Sequence, residues 1–408
     1  MLSNNLRILL FTCFYILTLK SGYVKWIPIW FIEPVYVGIL GLGLLFFLTP
    51  RIIPVSRTIQ SILFTVVLVL LWIVFSCIYT SSPEIYKHKF EKTILAFLLF
   101  FIPFLFIREK KDLRFFIPIY NTCALIGALL VIWAFITNKM DMFIIIEKSD
   151  ESTVPNYLFL SIFLCSALVL NLPNNKLPAI LFKVLLFTSM IVLGARSPIL
   201  FGSLIMIVYY SVKYITSIKK MVLFYTLAVI AGTGFFSWKG SERLFDRFES
   251  ISSVRGNRSF DNRVYYQQKS IDMIFQRPFL GTGFGSFAKE MKGKDIIDSP
   301  HNLFLEMGFE TGIVGMLLMI LFFVFTFRFM IMIIRQTGDL QLKDLILRFG
   351  LIIVYFFLTA FVSLYLSNSK DIFGLIGCFL ALGNAIIYEE KCQNKQQLES
   401  GDELRVMT

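Results

Sequence analysis

Polar residues are sparse along this chain and fall between long apolar runs. Runs able to cross about 30 Å of hydrocarbon as helices recur near 6–19, 33–49, 58–79, 93–107, 115–136, 157–172, 179–194, 197–212, 221–237, 313–334, 345–366 and 372–388. They are continuous rather than alternating with the period of two that a membrane strand needs, so a β-barrel is excluded. Backbone in hydrocarbon must satisfy its own hydrogen bonds, which leaves helices. The pattern predicts an all-α integral membrane protein of about twelve transmembrane helices.

Composition strengthens that reading. Hydrophobic residues make up 57% of the chain, charged residues only 16%, and the mean hydropathy is +0.74. The six cysteines lie mostly inside apolar runs without disulfide or metal spacing. The first run lacks a small-residue cleavage site after it and reads as a retained helix, not a signal peptide. A net charge of +12 is assigned to loops held on the cytoplasmic side rather than to nucleic acid.

Lysine and arginine concentrate in "RIIPVSR", "REKKDLR", "NNKLP", "SVKYITSIKK" and "RQTGDLQLKD", which the charge rule places in the cytoplasm with both termini. Four regions follow: nine spans over 1–237, an outside loop with short helices over 238–300, three spans over 301–388, and a polar tail over 389–408 expected to be disordered. The outside loop is anomalous. Over 238–299 it carries eleven basic and eight acidic side chains, against the usual charge bias. Its text "NRVYYQQKSIDMIFQRPFLGTGFGSF" mixes helical spacing with glycine turns and reads as an ordered, membrane-hugging element.

Candidate chemistry gathers around "DSPHNLFLEMGFETG", residues 298–312. Asp298 or Ser299 is expected to cap a helix with Pro300 in its first position, which puts His301 and Asn302 in the first turn. The helix dipole there favours a neutral imidazole able to accept a proton. Asn302, Glu306 and Glu310 follow at four-residue spacing on one face, and the span proper begins after Gly312. Alternatively, His301 is an interfacial residue hydrogen-bonded to Glu306. His88, in "YKHKFEK", reads as a solvated loop residue. Arg196, in the short turn "LGARSPIL", either snorkels to lipid headgroups or clamps phosphate with its planar fork. Arg258 and Arg263, taken singly, are surface charges or partners of Asp261; with Arg196 they make an outward-facing cationic site beside a histidine. The "GTGFGSF" stretch lacks the third glycine of a dinucleotide fingerprint and reads as a turn. Two distant histidines and no carboxylate motif leave no metal ligand set, and no cofactor is expected.

These pieces together resemble the bacterial O-antigen polymerase and O-antigen ligase superfamily. The most specific match is "PHNLFLEMGFETGIVGMLL", which carries the family's His-Asn-x-x-x-Glu-x-x-x-x-x-Gly signature. "GARSP" resembles its Ser/Thr-Arg motif, although many members read Ser-Arg-Gly there, and the long loop before the histidine is also similar. The resemblance implies a GT-C-like fold in the bacterial inner membrane with a large periplasmic loop. It also implies a metal-independent, inverting glycosyltransferase that uses an undecaprenyl-diphosphate-linked oligosaccharide at the periplasmic face. Carried onto this chain, His301 is the catalytic residue, Arg196 and Arg263 hold the diphosphate, and Arg258, Asn302 and Glu306 complete the substrate-binding set. Membrane lipids and a chain-length regulator are the partners expected. The polymerase branch is favoured over the ligase branch. A polytopic transporter is the reading of a different class, but neither internal repeats nor a clear midplane ionisable site supports it; Lys183 and Arg328 are its only interior candidates.

Overall fold

A computed structural model of the protein describes residues 3–24, 34–48, 53–137, 139, 156–172, 176–214 and 258–406. All regular structure among them is helical. The helices are α1 (Asn4–Val24), α2 (Pro34–Leu48), α3 (Arg57–Phe75), α4 (Pro83–Phe101), α5 (Pro103–Phe106), α6 (Phe116–Ile136) and α7 (Asn156–Leu170). They continue with α8 (Leu177–Leu193), α9 (Arg196–Tyr214), α10 (Arg258–Gln276), α11 (Phe287–Lys292), α12 (Leu303–Gln336), α13 (Leu340–Ala360) and α14 (Lys370–Val406). Four stretches among the described residues are long and apolar enough to cross a membrane: Arg57–Ile78, Lys110–Ile136, Leu303–Gln336 and Lys370–Gln393. Shorter apolar helices accompany them, and the molecule is an all-α polytopic membrane protein. The apolar run expected over 221–237 lies outside the described residues.

Local sequence sets the helix ends. Asp339 caps α13 by accepting from Gln341 N and Leu342 N, which satisfies two of the orphan donors of a first turn. Gly194, at φ 69°, ends α8, and only Ala195 separates that turn from α9. In the core, α3 packs on α12, α4 on α14, and α6, α7 and α8 on one another. Helix α14 overturns one expectation. The polar tail continues α14 through Val406, because Glu, Lys and Gln are good helix formers and the polar segment holds no proline.

One further expectation changes, and one holds, around the head of α12. "YKHKFEK" is not a loop but the first half of α4, with Pro83 in the opening turn. Tyr86, Lys89, Thr93, Ala96, Phe97 and Phe100 make its buried stripe, at the three- and four-residue spacing of one helical face. Helix α12 is broken at Gly312, whose φ of 72° and ψ of −178° interrupt the helical path. A polar segment over 303–311 is thereby separated from the span over 313–336, in the place expected.

The break would strand the backbone groups on either side of it. The stretch over 278–283, which runs into the "GTGFGSF" turn, supplies most of the missing partners. Thr282 N donates to Phe309 O at 3.0 Å, Gly283 N to Glu310 O at 2.8 Å, and Ile313 N to Pro278 O at 2.7 Å. Trp72 Nε1 on α3 takes the Thr311 carbonyl at 2.8 Å. This close approach requires glycine on both sides. A Cβ on Gly312 would fall on the Phe279 carbonyl, and one on Gly281 would meet the Gly312 and Phe309 backbone. The same turn is pinned to α4, since Phe284 is fully buried and meets the Tyr86 ring edge-on.

Gly312→Ala combines a positive φ with that collision. It should cost more than about 1 kcal/mol and lower the thermal unfolding midpoint in detergent, whereas Gly338→Ala, where an added Cβ meets nothing within 4 Å, should leave the midpoint within a degree or two.

Candidate active site

The cap of α12 differs from the expected one. Asn302, not Asp298 or Ser299, is the N-cap, and its side-chain oxygen accepts from Phe304 N at 3.0 Å and Leu305 N at 3.1 Å. Asp298 and Ser299 are used locally instead: Ser299 N donates to Asp298 Oδ1 and His301 N to Ser299 Oγ. His301 therefore precedes the helix, at φ 55°, and is the one non-glycine residue with positive φ among those described. A left-handed backbone at a non-glycine residue costs energy that the surroundings must supply, although histidine adopts it more readily than most side chains. Here the Asn302 cap and the 298–300 turn hold it.

His301 is half-buried. Its pKa is held down to about 4, first by burial, then by the positive charge of Arg263 and of Lys292, with Asp298 opposing. The imidazole is thus neutral at physiological pH, as expected from the sequence, but desolvation and neighbouring cations do this rather than the first turn of a helix. Lys292 and Asp298 pair at 2.6 Å beside it.

Arg263 projects from the half-buried side of α10 and donates through Nη1 to Val362 O at 3.2 Å. On a neighbouring side Val264, Ile271 and Phe275 are exposed, while Ser270 and Ile274 are buried, so α10 has the two-faced character read from its spacing. Arg196 is the first residue of α9. Its neighbour Ser197 hydrogen-bonds Ser363 between side-chain oxygens at 2.9 Å. The connection over 361–369 therefore brings the start of α9 and the Arg263 guanidinium to adjacent residues. The side chains of Arg196 and Arg258 lie outside the described residues.

Glu306 and Glu310 do share a face, but their partner was missed. Lys89 of α4, 1% exposed, lies between two carboxylates that are 0% exposed. Lys89 Nζ donates to Glu306 Oε1 at 2.6 Å and to both Glu310 oxygens at 2.9 and 2.8 Å. Glu306 Oε2 accepts from Leu366 N at 2.9 Å, and Lys89 Nζ sits 4.7 Å from the centre of the Phe284 ring. Glu306 is committed to these partners, not to the histidine. A sequence signal existed: two carboxylates one turn apart in an apolar segment require a buried cation, and Ser-Pro-Glu before "IYKHKF" marks a helix start. His88, next to that lysine, is exposed as read. No group of three or more His, Cys, Asp or Glu side chains suited to a metal occurs among the described residues.

A family model described as O-antigen ligase matches residues 181–320. That span contains Arg196, Arg258, Arg263, His301, Asn302, Glu306 and Glu310. No curated protein matches the chain.

Three outcomes are expected. In a labelled-histidine NMR titration one imidazole should titrate near pH 4 and vanish in His301→Gln. Because the unfolded histidine takes its proton near 6.5, stability should be flat above that pH and fall as pH drops toward 4, and His301→Gln should remove that slope. Lys89→Met strands two buried carboxylates and should cost about 3–5 kcal/mol, read as loss of folded protein from the membrane, whereas Lys87→Met on the exposed face should not.

Proposed function

We propose, for a chain whose residues 181–320 match a family model described as O-antigen ligase, that the mouth of α12 transfers a glycan from a lipid-linked diphosphate to a sugar hydroxyl. The reading is carried by one observation. A neutral, half-buried imidazole stands outside the helix at a broken membrane helix, within electrostatic reach of Arg263, with the start of α9 and the Arg263 side chain both hydrogen-bonded to one connection.

In this reading Arg263 and Arg196 bind the diphosphate, for which a guanidinium fork is suited. The acceptor hydroxyl attacks the anomeric carbon in line, and the bond from that carbon to the diphosphate oxygen breaks with inversion. His301 takes the hydroxyl proton and later releases it to water. Diphosphate is a good leaving group, so stabilising its departing charge is the larger task. No metal is required, since the cations are side chains. A pKa near 4 suits an empty site. Anionic diphosphate on Arg263 offsets the charge that depresses the imidazole, which raises its basicity when substrate is bound.

The acceptor is taken to be a second lipid-linked repeat unit, which makes the protein an O-antigen polymerase of the bacterial inner membrane acting at the periplasmic face. Undecaprenyl diphosphate is the carrier, and a chain-length regulator is an expected partner. A ligase that moves finished polymer to lipid A core is the second reading, and the matched family model, described as O-antigen ligase, does not separate the two branches. His301→Ala, Arg196→Ala and Arg263→Ala should each abolish long surface glycan with the protein retained in the membrane. Normal chain-length ladders in all three would overturn the proposal. Gene deletion separates the branches: core bearing a single repeat unit means polymerase, and bare core with polymer retained on its carrier means ligase.

A further inference from the structure

The buried cluster of Lys89, Glu306 and Glu310 holds one more carboxylate than charge balance requires. Glu310 grips Lys89 with both oxygens and is a sufficient partner for it. Glu306 is then surplus to neutralisation, and a surplus buried carboxylate is costly unless its charge is used. Its second oxygen is used, in a charge-assisted bond from Leu366 N. That backbone group belongs to the connection over 361–369, which also accepts Arg263 at Val362 O and meets Ser197 at Ser363. Three elements separated in sequence, α9, α10 and the mouth of α12, are therefore fastened to one short connection, and Glu306 joins that connection to the ion cluster.

We propose that Lys89 and Glu306 are positioning residues: Lys89 fixes the Glu306 carboxylate, which holds residues 361–369 so that Val362 and Ser363 set Arg263 and the first turn of α9. This rests on the glycosyl-transfer reading for its purpose, and replaces a substrate-binding role for Glu306 with one exerted through the protein. Glu310 serves to balance Lys89 and makes no hydrogen bond to the connection.

A cross-link reads the fastening without reference to activity. In the full-length protein in membranes, Ser197→Cys with Ser363→Cys should oxidise to a disulfide, identified by peptide mass, since the two hydroxyl oxygens are 2.9 Å apart. Adding Glu306→Gln should lower the yield severalfold, and adding Glu310→Gln should not. An unchanged yield with Glu306→Gln, or equal loss in both variants, overturns the proposal. In transfer assays with lipid-linked diphosphate donor, Glu306→Gln should raise the donor KM by about tenfold, equivalent to about 1.4 kcal/mol, and Glu306→Asp should recover part of that loss. An unchanged KM at full protein level also overturns it. If the cross-link responds as expected while His301→Ala and Arg263→Ala remain fully active, the fastening stands and the enzymatic reading on which its purpose rests fails.

Discussion

A lysine at 1% exposure between two carboxylates at 0% fixes the architecture at the head of α12. Buried charges are tolerated only when paired and hydrogen-bonded. The pairing therefore decides where α4 lies against α12, and through Leu366 N it decides where the connection to α14 passes. The aromatic packing around it follows from that placement: Phe284 covers the ammonium, and Tyr86 covers Phe284.

The break at Gly312 is the second constraint, and it is met through backbone groups. Non-helical backbone at membrane depth persists only where protein satisfies it. The Gly-rich turn over 281–285 does so because its glycines let main chain approach main chain and leave N–H groups free to reach the Phe309 and Glu310 carbonyls. A polar segment can thus sit at the head of a span without exposing orphan carbonyls to hydrocarbon. The price is conformational, since Gly281, Gly283, Gly285 and Gly312 all adopt positive φ.

His301 gains its character from both constraints. The Asn302 cap opens the helix one residue after it, so the imidazole belongs to a turn rather than to a helix face. Burial and nearby cations keep it neutral. A neutral base beside cations is an arrangement that an anionic ligand completes, because the ligand's charge both satisfies the guanidinium and restores basicity to the imidazole. The proposed transfer from a diphosphate carrier would draw on that complementarity.

The sequence by itself determined that the chain is an all-α membrane protein, because continuous apolar runs allow no other satisfied backbone in lipid. It also determined that residues 298–312 form a polar mouth ahead of a span, since Gly312 and the carboxylate spacing are local signals. The neutral state of His301 was legible too, though for another physical cause. Only the tertiary structure decided the cap at Asn302, because Asp298, Ser299 and Asn302 are all competent caps and the choice rests on where the preceding turn is held. Only it revealed Lys89 as the partner of Glu306 and Glu310, more than 200 residues away in the chain. Likewise, "GTGFGSF" reads locally as a turn, and its task of closing a broken helix emerges only when the two meet. Pairings across such separations are set by which helices pack together, and one chain's local pattern carries no record of that choice.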